Sequence, residues 1–170
     1  GDLLAALKTK AKREKFSEET GLPVEYLTVL NREAKSYLPK PVRLNAYAGI
    51  SPDLIEVLKQ QGITHSRHLY LAAARREDRM MLALELGVSF SELTELLCLA
   101  DLSRLYGFGP VFSRMMHDVG IRTVEDLVGI PPDEIIRIYE RETGRNADFS
   151  PGDIKFSLDL ADLLDLTVEL

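Results

Sequence analysis

Internal self-similarity constrains this chain more than any other feature, because a repeated segment must fold into the same local structure twice. Displaced by 66 positions, Gly21-Leu22-Pro23-Val24-Glu25-Tyr26-Leu27-Thr28-Val29-Leu30 falls on Gly87-Val88-Ser89-Phe90-Ser91-Glu92-Leu93-Thr94-Glu95-Leu96, and Ala34 falls on Ala100. The leading segments match at the same displacement, with Leu3-Leu4-Ala5-Ala6 over Leu69-Tyr70-Leu71-Ala72. Further along the displacement becomes 58: Gly49-Ile50-Ser51-Pro52 falls on Gly107-Phe108-Gly109-Pro110, Gly62-Ile63 on Gly120-Ile121, and Leu69 on Leu127. The first copy therefore carries about eight extra residues around Lys35–Leu44, where Pro39 and Pro41 mark a loop. The copies span residues 1–68 and 69–144, and residues 145–170 form an extension.

The local signals are helical. Ser89-x-x-Glu92 reads as a capping box opening a helix that carries Phe90, Leu93, Leu96, Leu97 and Ala100 at helical spacing. Pro23 occupies a first-turn position of the matching helix in the first copy. Thr123-x-x-Asp126 resembles another helix start, and Ser150-Pro151-Gly152-Asp153 starts a last helix carrying Ile154, Phe156, Leu158, Leu160, Ala161, Leu163 and Leu164. Gly21, Gly62, Gly87, Gly120 and Gly144 come just after helical stretches, where a left-handed cap is expected. No stretch sustains the alternation of a strand, so the chain is predicted to be all-α with almost no strand.

The second copy carries the segment with the clearest chemical potential. Leu105-Tyr106-Gly107-Phe108-Gly109-Pro110-Val111-Phe112-Ser113-Arg114-Met115-Met116 resembles the helix-hairpin-helix signature: hydrophobic-x-Gly-hydrophobic-Gly, then a helix with a small residue, here Ser113. Gly107 and Gly109 are expected to allow a tight turn between two helices, Phe108 to enter the core, and Pro110 to open the outgoing helix. Amides around residues 107–112 would then face outward at a helix N-terminus. In family members such amides grip a nucleic-acid phosphate. Each such dipole contribution is only about 0.3–1 kcal/mol at an exposed site, so basic neighbours must help. Arg104, Arg114, His117 and Arg122 flank the hairpin, opposed by Asp101 and Asp118. In the first copy Ser51 replaces the second glycine, Ile55 replaces the small residue, and Asp53 and Glu56 sit where a phosphate would. Lys40 and Arg43 of the inserted loop compensate only in part.

The fold expected is thus two tandem helix-hairpin-helix-like repeats, built of short helices of the SAM/HhH type, plus a C-terminal helix. Beyond the hairpins, the chain resembles the bacterial "domain of unknown function 4332" family. The resemblance rests on Leu71-x-Ala73-Ala74, Gly87-Val88, Ala100-Asp101-Leu102, Gly107-Phe108-Gly109-Pro110 and Gly120-Ile121-Arg122-Thr123-Val124-Glu125-Asp126-Leu127. It covers the second copy closely and the first with the departures noted. It implies the helix-hairpin-helix fold and brings neither an activity nor catalytic residues.

Charge weighs against a dedicated nucleic-acid binder. Residues 125–170 hold 12 acids against four bases, a net −8, which leaves +2 on residues 1–124 of a chain whose total is −6. Neither part has a strong basic excess. No apolar run is long enough to span a membrane, and no signal peptide is evident. Gly1 in place of an initiator Met leaves room for a segment removed upstream.

The single cysteine, Cys98, excludes an internal disulfide; among Leu96, Leu97 and Leu99 it reads as core rather than nucleophile. His65-x-x-His68 lacks a third metal ligand, so neither metal nor cofactor is expected. The run Lys8, Lys10, Lys12, Arg13, Lys15 is interleaved with Glu14, Glu18 and Glu19 and reads as a solvated helix face. Arg75, Arg76 and Arg79 are similarly diluted by Glu77 and Asp78, while Tyr47, Tyr70 and Tyr106 read as half-buried at helix junctions.

The function expected is a non-enzymatic, cytoplasmic interaction module that binds another protein or itself. The alternative is weak, sequence-nonspecific binding of DNA or RNA through Gly107, Phe108, Gly109, Val111 and Phe112, with Arg104, Arg114 and Arg122 beside them.

Overall fold

Helix starts and stops obey the capping chemistry of the chain. The computed structural model describes residues 2–36, 39–164 and 166–170; Tyr37 and Leu38 of the inserted loop and Asp165 of the acidic extension lie outside the described residues. The elements are α1 (Asp2–Ala6), α2 (Lys10–Thr20), α3 (Val24–Ser36), α4 (Pro52–Gln60), α5 (Ser66–Ala73), α6 (Arg76–Leu86), α7 (Phe90–Leu102), α8 (Pro110–Asp118), α9 (Pro132–Thr143) and α10 (Pro151–Ala161), with single 3-10 turns at Leu44–Ala46 and Glu125–Leu127. Among the described residues there is no strand, only one isolated antiparallel bridge between Arg43 and His65. No helix among them is long and apolar enough to cross a membrane. The five glycines expected to close helices all adopt positive φ.

Two start signals behave differently from expectation. Ser89 caps α7 by accepting from the Glu92 N–H (3.3 Å), but the Glu92 side chain does not reach back to Ser89. Its carboxylate instead accepts from the backbone N–H of Ser51 (2.8 Å), because the first hairpin sits within its reach. The reciprocal box forms at α10, between Ser150 and Asp153. At Thr123, the Asp126 carboxylate accepts both the Arg122 N–H (2.8 Å) and the Thr123 N–H (2.9 Å), and the backbone then makes a single 3-10 turn rather than an α-helix.

The chain divides into two compact units, residues 1–39 and 40–170. In the first, α1, α2 and α3 pack together, with Leu7 and Leu27 fully buried. In the second, α7 is the spine: every residue from Leu96 to Leu102 is buried. Its first half joins a cluster with Leu44, Tyr47, Leu54, Leu58, Leu69 and Ala73. Its C-terminal Leu102 joins a second cluster with Leu105, Phe108, Met116, Val124, Ile135 and Ile154. The residue between the two clusters, Asp101, is a buried carboxylate that accepts from the Val124 N–H (2.8 Å) and from Arg104 (2.6 Å). Burial pushes its pKa up, against the lowering pull of the Val124 amide and the Arg104 cation.

Candidate functional site

The second hairpin is built as a turn between α7 and α8. Gly107 holds φ at +78°, a left-handed conformation that side chains disfavour, and this lets the chain reverse. Phe108 is buried, and its ring meets Phe112 edge-on with centroids 4.7 Å apart. Ser113 is fully buried beneath the turn, where only a small side chain fits, and its N–H donates to the Gly109 carbonyl (2.9 Å). Gly109 departs from expectation. It caps α8 at φ −73° and ψ −179°, extended backbone open to any residue, and a Cβ there would meet nothing within 4 Å. The second glycine is therefore not a backbone requirement, which explains how Ser51 fills the equivalent place at φ −65° while capping α4 through the Leu54 N–H (3.1 Å).

Two of the expected amides are unclaimed. Gly109 donates to the Gly107 carbonyl (3.0 Å), while the N–H groups of Val111 and Phe112 have no acceptor among the described residues. Val111 is 73% exposed. The expected basic rim does not gather around them. Arg104 donates to Asp101 and to the Tyr70 hydroxyl (2.8 Å), and its guanidinium lies over the Tyr70 ring, 4.3 Å from the centroid. Arg114 bridges Glu95 (2.6 Å) and Asp118 (3.2 Å) and donates to the Ala48 carbonyl (2.6 Å). It thereby packs against Gly49 of the first hairpin, where an added Cβ would lie 3.3 Å from its Nη2. Arg122 lines a separate cleft of about 390 Å³ with Arg76, Arg79, Phe90 and His117. Burial, and then the Arg114 cation, hold His117 below the ordinary histidine range.

The C-terminal helix covers one side of the hairpin, which the sequence did not reveal. The Ser157 hydroxyl donates to the Tyr106 carbonyl and lies beside Gly107. Phe156 meets Tyr106 edge-on (5.5 Å), and Phe149 meets Phe112 (5.0 Å). Between them is a small hollow of about 150 Å³ lined by Gly107, Phe112, Phe149 and Asp153. Hydrogen bonds from the Ser150 backbone and hydroxyl hold the Asp153 carboxyl below the usual range, so it contributes a negative charge there at neutral pH. The signal that could have found this cover was the aromatic series Phe149 and Phe156, spaced to face Phe112 and Tyr106.

Arg79 was also missed. Read as part of a solvated cluster, it is fully buried and donates to the Thr94 hydroxyl (2.9 Å), the Ala73 carbonyl (3.0 Å) and the Glu169 carbonyl. It fastens an extended C-terminal segment against α5 and α6. The Glu169 N–H donates to the Ala74 carbonyl (3.0 Å), the Glu169 carboxylate accepts from the Arg76 N–H (3.1 Å), and Val168 packs on the first cluster. The sequence held a signal, because Arg13 and Thr28 fall on Arg79 and Thr94 at the displacement of 66.

The remaining candidates take structural positions. Cys98 is buried, and burial pushes its thiol up to about 11, the reverse of nucleophilic activation. His65 caps α5 through the His68 N–H (3.3 Å) and stacks on the His68 ring (3.5 Å). No group of three potential metal ligands occurs among the described residues.

No curated protein and no solved structure matches the chain. A family model does match, over residues 48–148, a span that begins just before Gly49 and takes in both hairpins and α9. Since that span is more than half of the 170 residues, the chain belongs to the family described as Domain of unknown function (DUF4332).

Proposed function

We propose that this protein is a non-enzymatic helical interaction module, made of two helix-hairpin-helix-like repeats, which binds a protein partner or a second copy of itself. The repeat reading is supported by element bounds. Moved by 66, α2 and α3 fall on α6 and α7 end to end, and moved by 58, α4 falls on α8. Hydrogen bonds agree: Gln61 to Leu58, Gly62 to Lys59 and Ile63 to Leu58 in the first copy match Val119 to Met116, Gly120 to His117 and Ile121 to Met116 in the second.

The observation that carries the functional reading is the cover over the second hairpin. A phosphate approaching Val111 and Phe112 would find α10 and Asp153 beside it, and Arg104 and Arg114 already committed to internal carboxylates. Steering of a polyanion needs uncommitted cations, and neither Arg104 nor Arg114 is one. Apolar side chains stand exposed elsewhere, including Leu71, Met80, Met81 and Leu84 on α5 and α6, as suits a surface that meets another protein.

The unclaimed Val111 and Phe112 amides favour a second reading, weak nucleic-acid backbone binding. A low-salt mobility-shift assay with duplex and single-stranded DNA separates the two. The module reading expects no shift at about 30 µM protein, whereas a shift abolished both by added salt and by Gly109→Glu overturns it.

A further inference from the structure

The two repeats differ in what lies across the start of their paired helices. In the second, the groove between the end of α5 and the start of α6 holds the extended segment Thr167–Glu169. The segment is received by four groups: the Tyr70 hydroxyl, which meets that of Thr167, the Ala74 carbonyl, the Arg76 N–H and the Arg79 guanidinium. At the displacement of 66 the last three become the Lys8 carbonyl, the Lys10 N–H and the Arg13 guanidinium, while Tyr70 becomes Leu4, which offers no hydroxyl. The match is structural as well as sequential. Arg13 donates to the Leu7 carbonyl (2.9 Å) just as Arg79 donates to that of Ala73 (3.0 Å), and Arg13 and Arg79 each donate their N–H four residues back, to Thr9 and Arg75.

In the first repeat these receiving groups hold no such segment among the described residues. The Lys8 carbonyl and the Lys10 N–H make no hydrogen bond among the described residues, and there the Arg13 guanidinium donates only to the Leu7 carbonyl; its buried Nε corresponds to the Arg79 Nε that meets Thr94, not to the Nη2 that donates to Glu169. The electrostatics point the same way. The first turn of α6 carries Glu77 and Asp78, and the Glu169 carboxylate sits on its leading amide. The first turn of α2 carries no acid and instead presents Lys10, Lys12 and Arg13. Cations there oppose the helix dipole, and an external carboxylate would relieve that opposition. Among the described residues the ion pairs of α2 are exposed ones, Glu14 lying 3.7 Å from Lys10 and Glu19 3.7 Å from Lys15.

We propose that the groove formed by the end of α1 and the start of α2 binds an extended acidic peptide segment of a partner protein, in the way that the corresponding groove holds Thr167–Glu169. The pattern expected of the segment is an aliphatic residue followed by a glutamate or aspartate, with no hydroxyl required before them because Leu4 stands where Tyr70 receives Thr167. Its backbone would pair with the Lys8 carbonyl and Arg13, and its carboxylate would meet the Lys10 amide. This rests on the repeat reading above, and it names the chemistry of the partner.

The test is titration of the full chain with a labelled peptide of sequence Leu-Asp-Leu-Thr-Val-Glu-Leu, monitored by fluorescence anisotropy and by amide shifts in nuclear magnetic resonance. Saturable binding is expected, with the largest shifts at Lys8–Arg13. Lys10→Glu should weaken it at least about tenfold, because a charge-assisted contact is replaced by repulsion. Lys10 is exposed and an acid suits a helix start, so this variant should stay folded. Arg137→Gln, a charge loss far along the chain on α9, should leave binding unchanged. Absence of saturable binding, shifts confined to Ala74–Arg79, or equal weakening by Arg137→Gln would each overturn the proposal. None of these results would touch the module reading, which the mobility-shift assay decides.

Discussion

The two hairpins share a turn yet occupy different chemical situations. The first is closed on itself. Ser51 caps its outgoing helix, Glu92 accepts from the Ser51 N–H, Asp53 supplies negative charge in the first turn, and Arg114 lies against Gly49. The second keeps two amides without acceptors among the described residues, but α10 leans over it and Arg104 and Arg114 are occupied. The same turn thus stands in two chemical settings, and these are set less by its glycines than by which side chains from elsewhere reach it.

The largest expected break in this comparison comes from the hydrophobic residue of each turn. Phe108→Ala should cost about 3–4 kcal/mol, because a buried ring contacting Phe112 is lost. Its counterpart Ile50 is only partly buried, so Ile50→Ala should cost about 1–2 kcal/mol. Urea unfolding of both variants would check this, and equal losses would show that the two turns are packed alike.

A second asymmetry lies in the paired helices. The residue matching exposed Arg32 is buried Cys98, whose thiol is held at about 11 against an ordinary 9.0. The neutral thiol is the form favoured by the fold. Its contribution is fully present below pH 9.0 and is lost as pH rises through about 11. Two units correspond to about 2–3 kcal/mol. Stability measured from pH 8 to 11 should fall less steeply in Cys98→Ala than in the parent chain, and thiol reagents at pH 8 should react only on unfolding.

The two left-handed glycines should behave alike in kind. Gly107→Ala and Gly49→Ala should each cost about 1–2 kcal/mol from the backbone alone. Gly49→Ala should cost somewhat more, since its Cβ would crowd Arg114 at 3.3 Å while that of Gly107 would meet Ser157 at an ordinary 3.6 Å. The smallest effect is expected from Gly109→Ser, within about 0.5 kcal/mol of the parent, because the site is extended and open and the hydroxyl can cap α8 as Ser51 caps α4. A loss above about 2 kcal/mol at Gly109 would contradict the equivalence of the two caps.

The all-helical character, the closing glycines and the burial of Phe108 were legible because each rests on local chemistry or on short-range periodicity. Ser113 was legible because a small residue at a fixed offset has one evident packing reason. The cover by α10 was not, since Ser157 and Tyr106 lie 51 residues apart and nothing local dictates their meeting. Arg104 and Arg114 were read as flanking the hairpin, but their commitments to Asp101, Tyr70, Glu95 and Ala48 depend on how helices pack, not on how far apart residues stand in the chain. Arg79 was hidden by its neighbours: Glu77 and Asp78 make the stretch look solvated, although one helical turn carries Arg79 to the buried face.

The clasp between Arg79 and Glu169 also carries a timing consequence. Its two ends are 90 residues apart, so closing it costs about 4 kcal/mol of chain entropy if the intervening chain is unfolded. That cost vanishes once α7 and its neighbours have already drawn the ends near. The segment is therefore expected to dock after the helices and to detach before they unfold. Hydrogen exchange should read this as a faster-exchanging Glu169 amide against the slow amides of α7.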